Sequence, residues 1–201
     1  MKGGILLAIR YGTGRFTKDV DFLTTQSFKE FDEERFLDAF RKSLIQASSH
    51  LPYQLECCLQ RQEIRPNRDG SFPTMKMSVG YASKTDRRVF ERLLKGQAPA
   101  VVEIDYSFND GIHDIDIINV DRDMNVQAYG KTTLIAEKFR AILQQVVRQR
   151  SRRQDIFDLY YLFSHYPLDA RRKPQILEAL ISKCRSRNIE ATAKSMAAND
   201  I

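Results

Sequence analysis

KGGILLAIRYGTGRFTKDVDF, residues 2–22, places two adjacent glycines ahead of a short apolar run and ends on Asp19 and Asp21, with only Val20 between them. ILLAIRYG, residues 5–12, predicts a short helix stopped by Gly12, because glycine enters the left-handed backbone region that terminates helices. KDVDFLT, residues 18–24, alternates and predicts a strand with Val20 and Phe22 on one face and Asp19 and Asp21 on the other. Two carboxylates at i and i+2 of a strand project to the same side. They stand close enough to share a hard cation such as Mg²⁺ (or Mn²⁺), which keeps water and phosphate oxygens in its remaining positions. That is the arrangement phosphoryl or nucleotidyl transfer requires. The bare D-x-D pattern equally describes the solvated face of an edge strand. DIDIINVDRD, for instance, holds Asp114, Asp116, Asp121 and Asp123, which nothing else separates from surface acids.

The surroundings of Asp19 and Asp21 are more informative than the pair itself. Gly3 and Gly4 open the preceding helix, where bare backbone N–H groups and the helix dipole favour an anion. Arg15 and Thr17, between the glycines and the aspartates, add a cation and a hydroxyl suited to phosphate oxygens. Turn chemistry also accounts for the glycines, and surface charge for Arg15.

Composition narrows the classes. A chain of 201 residues buries a core without disulfides or metals. No stretch is apolar enough to span a bilayer and no secretory signal follows Met1, so the expectation is a cytoplasmic chain with no membrane partner. Cys57, Cys58 and Cys184 are odd in number, with two adjacent, and read as reduced thiols. The three histidines, His50, His113 and His165, are scattered singly, which argues against a histidine-rich metal site. Residues 1–130 carry 18 Lys and Arg against 19 Asp and Glu, whereas residues 131–201 carry 14 against 7. The excess positive charge of the last third, densest in RQRSRR at 148–153, favours a polyanionic partner or forms a solvated helical surface.

Further along, Phe31, Phe36, Phe40, Leu44 and Ile45 recur at helical spacing over 30–48. LECCLQRQEI (55–64) and TMKMSVGYA (74–82) predict strands of a hairpin, with NRDG (67–70) as the turn signal. A short helix at 87–95 and strands at 100–108 and 114–120 follow, then helices at 131–147, 153–165 and about 174–187, and a weakly patterned tail expected to fray. This divides the chain into a mixed part, 1–130, and a helical part, 131–201.

Two charged residues fall on apolar helix faces. At about 100° per residue, Lys138 lies inside the arc made by Leu134, Ile135, Phe139 and Ile142, and Asp155 lies on the stripe of Leu159 and Leu162. A lysine there must reach a charge or snorkel. A first-turn aspartate is favourable at a helix N-terminus, and a structural ion pair with Lys138 is equally open.

Together K-G-G, R-F-T-K-D-V-D-F, A-E-K-F-R-A and R-R-Q-D-I-F-D-L-Y-Y-L resemble, in order and over nearly the whole chain, the AbiEii/AbiGii-type nucleotidyltransferase toxin family (MenT-like), within the DNA polymerase β-like nucleotidyltransferase superfamily. The resemblance implies an α+β fold: a nucleotidyltransferase-type mixed sheet flanked by helices, with a C-terminal helical part that completes the active site. Gly3 and Gly4 match the phosphate motif, Asp19 and Asp21 the metal pair, Lys138 the lysine contacting nucleotide phosphates, and Asp155 the essential late aspartate. A third carboxylate is expected from VVEIDYS, where Glu103 is preferred over Asp105. In that family a helical segment and a strand ordinarily precede the glycine motif, which here follows Met1 directly, so upstream elements are missing from the expected core. The second glycine stands where many relatives carry serine, and Thr17 is the candidate substitute.

The implied activity is Mg²⁺-dependent transfer of NMP from an NTP to a hydroxyl on RNA, in particular a tRNA end, by the toxin of a toxin–antitoxin pair with a cognate antitoxin. The alternative is a catalytically degenerate protein of the same fold that binds nucleic acid or a protein. A metal-dependent nuclease would use the same aspartates and leave the glycines and Lys138 unexplained.

Overall fold

A computed structural model of the chain describes residues 1–14, 16–121, 124–192 and 195, with Val146 described in its backbone alone. The chain forms two compact units, Thr17–Asp110 and Met1–Phe16 together with Gly111–Ile201. The units therefore do not part at residue 130. The first residues and the segment after residue 110 pack with the C-terminal helices instead. The architecture is α+β with a mixed sheet, as the sequence implies. Among the described residues no helix is long and apolar enough to cross a membrane, and all three cysteines are free. Of the tail expected to fray, residues 193, 194 and 196–201 lie outside the described residues.

The Thr17–Asp110 unit is a four-stranded sheet ordered β1 (Asp19–Leu23), β4 (Val101–Ser107), β3 (Thr74–Ser83), β2 (Leu55–Arg65), with β1 and β4 parallel and the other pairs antiparallel. Alternation gives the sheet one apolar and one polar face. Met75, Met77, Ile104 and Tyr106 pack under Phe28, Phe31, Phe36 and Leu37, the last two from α2 (Glu33–Ser48). Phe36 meets Tyr106 at 5.3 Å between ring centroids and Phe31 meets Phe108 at 4.6 Å. Met75 and Met77 are almost wholly buried, a gain of roughly 1.5–3 kcal/mol each. Two aspartates start the helices: Asp32 accepts from Arg35 N at 3.0 Å for α2, and Asp86 from Val89 N at 3.1 Å for α3 (Arg87–Leu94). The expected β2–β3 hairpin forms, with the register shifting between Leu59 and Arg61. Gln60, at the bulge, accepts from Ala98 N at 3.0 Å and donates to Leu93 O at 3.1 Å. Gly80 leaves the room this needs, since a β-carbon there would sit 2.5 Å from Ala98 Cβ.

The other unit contains α1 (Gly3–Tyr11), the hairpin β5 (Ile115–Asp121) and β6 (Met124–Tyr129), and the helices α4 (Lys131–Leu143), α5 (Gln145–Arg148), α6 (Arg153–His165) and α7 (Arg172–Arg185). Gly12 ends α1 at φ 64° and returns its N–H to Leu7 O, as its position predicts. Strand β6, MNVQAY, is a short element that the sequence reading does not predict. It is held by β5 on one side and by the first residue on the other, with Tyr129 N donating to Met1 O at 3.0 Å and the Met1 amino group donating to Gln127 O at 2.6 Å. The expected helix over 131–147 turns at Gln144 and appears as α4 and α5. α4 is buried along most of its length and packs on α6 and α7, where Ala136 and Leu143 meet Ala179, Leu180 and Cys184.

Candidate active site

On the polar face of the sheet Asp19 lies opposite Glu103 and Asp21 opposite Asp105, while Glu103 and Asp105 in turn oppose Ser78 and Lys76 of β3. All six side chains point to one side of the sheet, because facing residues and their i+2 neighbours share a face. Ser78 Oγ donates to Glu103, lying 2.9 and 2.8 Å from its two oxygens, and Lys76 Nζ is 3.5 Å from Asp105 Oδ1. Asp19 is exposed, and Asp21, Glu103 and Asp105 are half-buried. Four carboxylates thus share this face with Lys76, and carboxylate oxygens are the ligands hard cations take. Strand β4 thus supplies both candidates for the third carboxylate: Glu103 beside Asp19 and oriented by Ser78, Asp105 beside Asp21 and close to Lys76.

Among the described residues no three or more His, Cys, Asp and Glu side chains are gathered as a preformed metal cage. The donor set still suits Mg²⁺. Asp19 and Asp21 offer hard oxygens only, and Mg²⁺ is ordinarily held by one or two carboxylates, with phosphate and water completing its shell. Thr17 turns its hydroxyl to the start of β1, 3.4 Å from Asp19 N and 3.2 Å from Asp19 O, so it braces the strand. Arg15 lies outside the described residues.

Gly3 and Gly4 belong to the helical unit. Gly3 has φ 71°, where a side chain would be strained, and Gly4 has no positive φ. The helix they open has no side-chain cap and no acidic residue in its first turn. Its first amides are therefore the kind of donors an anion satisfies.

Lys138 and Asp155, expected to act at the site, are brought together as an ion pair. Lys138 Nζ lies 2.9 Å from Asp155 Oδ1 and 2.6 Å from Asp158 Oδ2. Arg152 adds a longer contact to Asp155 at 3.7 Å. The Asp158 side chain is fully buried, Lys138 is 6% exposed and Asp155 17%, so Asp155 is the member of the triad nearest solvent. Asp158 is the residue the sequence reading missed. The signal was there: at about 100° per residue it lies within 60° of Asp155 and 40° of Leu162 on the inner face of α6.

Beside this triad Glu137 accepts from Arg140 at 2.5 Å and faces Lys183 at 3.3 Å, while Lys183 also donates to Gly111 O at 2.8 Å. Burial pushes the Glu137 carboxyl up, but the charges of Arg140, Lys183 and Lys2 outweigh it and hold the group well below the usual carboxylate range. Asp114, read from sequence as indistinguishable from a surface acid, caps α4. It accepts from Thr133 N at 2.7 Å, from Thr132 N at 3.2 Å and from the Thr133 hydroxyl. Gly130 makes room for it, since a β-carbon there would lie 2.2–2.4 Å from the Asp114 carboxyl.

A search of curated proteins finds no match of significance. The sequence model of a family described as "Nucleotidyl transferase AbiEii toxin, Type IV TA system" matches residues 1–200. With the mixed sheet carrying Asp19 and Asp21 and the paired Lys138 and Asp155 in place, the chain belongs to the AbiEii nucleotidyl transferase toxin family of type IV toxin–antitoxin systems.

Proposed function

We propose that this chain transfers NMP from an NTP to a hydroxyl in a Mg²⁺-dependent reaction in the cytoplasm, with RNA, in particular a tRNA 3′ end, as acceptor, and that a cognate antitoxin relieves the resulting growth inhibition. The observation that carries the reading is the polar sheet face on which Asp19 and Asp21 are in register with Glu103 and Asp105, in a chain of the AbiEii family.

Mg²⁺ bound there would neutralise the triphosphate and align it for in-line attack. Asp19 and Asp21 supply the oxygen ligands, and Glu103, oriented by Ser78, is the preferred third carboxylate. The acceptor oxygen bonds to the α-phosphorus as the bond to the β-phosphoryl oxygen breaks. Pyrophosphate leaves, and a carboxylate of this face takes the hydroxyl proton. The uncapped amides at Gly3 and Gly4 suit phosphate oxygens, with Arg15 as an additional cation. Because two carboxylates already hold Lys138, a phosphate reaches its ammonium from the Asp155 side, the more accessible of the two.

Incubation with each labelled NTP, Mg²⁺ and total RNA is expected to label RNA, with the mass of the product separating RNA modification from modification of the protein itself. Transfer by Asp19→Ala at the wild-type rate would overturn the assignment. The full engagement of Lys138 by Asp155 and Asp158 favours one second reading, a protein of this fold that binds RNA without turnover. It predicts steeply salt-dependent RNA binding and no consumption of any NTP.

A further inference from the structure

We propose that the outer face of α6, with the arginines that precede it, is a docking surface for single-stranded RNA. The inference rests on RNA being the acceptor and adds where the strand is held.

The inner face of α6 carries Asp155, Asp158, Leu159 and Leu162. At about 100° per residue the opposite arc, roughly 120° wide, holds Phe163, Ile156, Tyr160, Arg153 and Phe157. Tyr160 is 70% exposed and Phe157 and Ile156 49%, while Phe163, at the edge of the arc and 38% exposed, leans on Phe139 of α4 at 6.2 Å between ring centroids. A helix apolar on both sides needs cover on both, and an exposed aromatic patch of this kind marks a binding surface.

Charge selects the occupant. Arg148, Arg150 and Arg153 are exposed, and none has an acidic partner among the described residues. Partial burial, and then the charges of Arg140, Arg187, Arg152 and Arg150, push the Arg148 guanidinium down from its ordinary value, the direction expected of a cation among cations. Like charges gathered at a surface repel until a polyanion neutralises them. Arginines beside exposed aromatic rings are the pairing that holds single strands: the cations track phosphates and the rings stack on unpaired bases. A duplex, with its bases already stacked, offers phosphates and 2′-hydroxyls but no open base face for a ring to stack on.

The test is equilibrium binding of the full chain to a fluorescent single-stranded RNA of about 12 nucleotides, and to the same sequence as a duplex, across a salt series without NTP. Tyr160→Ala is expected to weaken single-strand binding about 5- to 150-fold with the salt slope unchanged, while Tyr160→Phe, which keeps the ring, binds as the wild type does. Arg148→Ala with Arg150→Ala is expected to lower the salt slope by about 1.4. Equal single-strand affinity of Tyr160→Ala and wild type would overturn the proposal. So would an equal loss on the duplex, or a change in self-association with RNA affinity intact, which would mark a protein interface. Asp19→Asn separates the two levels: loss of transfer with RNA binding retained upholds the catalytic reading whichever way the Tyr160 result falls.

Discussion

On the polar face of the sheet Asp19, Asp21, Glu103 and Asp105 stand exposed or half-buried around one lysine and one serine, whereas in the helical unit Lys138, Asp158, Arg140 and Lys183 are buried and paired side chain to side chain. Both regions carry family motifs, yet they treat charge in opposite ways. The sheet face keeps its carboxylates exposed or half-buried, in reach of water. The network inside the helical unit takes these four charges out of water and pairs them, so that breaking a pair leaves a buried charge with less compensation. Loss of a carboxylate is therefore expected to cost reaction rate in the first region and folding stability in the second.

The sharpest break in the comparison is Asp19→Ala, expected to lower nucleotidyl transfer by about a thousandfold or more while unfolding in urea shifts by less than about 0.5 kcal/mol. Asp158→Ala reverses the pattern. It removes the fully buried partner of Lys138, leaving Asp155 on the ammonium, and is expected to cost about 3 kcal/mol in the same unfolding assay; wild-type stability would mean that the triad does not hold α4 to α6. Next is Gly130→Ala, where the added methyl collides with the Asp114 carboxyl and is expected to cost about 1–3 kcal/mol by thermal unfolding. Asp114→Ala, which loses the α4 cap, costs about 0.5–2 kcal/mol, and the two together cost less than their sum because both act through one contact.

The smallest effect is a slope. Glu137 is held below its ordinary value, so the stability it contributes is fully present above the usual carboxylate range and is lost as the pH falls below that range toward the depressed folded value. Glu137→Gln is expected to be less stable at neutral pH and to lose less between about pH 5 and pH 2. An acid limb as steep as that of the wild type would show that other carboxylates carry it.

Most of the fold is legible from short-range signals. Gly12 stops α1, alternation marks β1 and β4, and α6 spans 153–165 as its period predicts. The elements that escape are those fixed by distant partners. Strand β6 exists because β5 and Met1 supply its hydrogen bonds, and the role of Asp114 appears only when the start of α4 is folded against it. At the candidate site, periodicity finds Lys138 and Asp155 because each breaks an apolar stripe. The same test would have found Asp158. No sequence pattern links Ser78 to Glu103, since they meet only through the β3–β4 register. The unit boundary escapes for the same reason: contacts return the first residues to the C-terminal helices.

Binding of Mn²⁺, followed by electron paramagnetic resonance with a non-hydrolysable NTP analogue present, tests most directly whether the open sheet face is the cation site. Asp19→Asn and Asp21→Asn are expected to lose the bound-ion signal, while Asp155→Asn, altered in the closed network, retains it. Retention by both sheet variants, with loss in Asp155→Asn, would move the metal to the helical unit and contradict the division of roles drawn between the two regions.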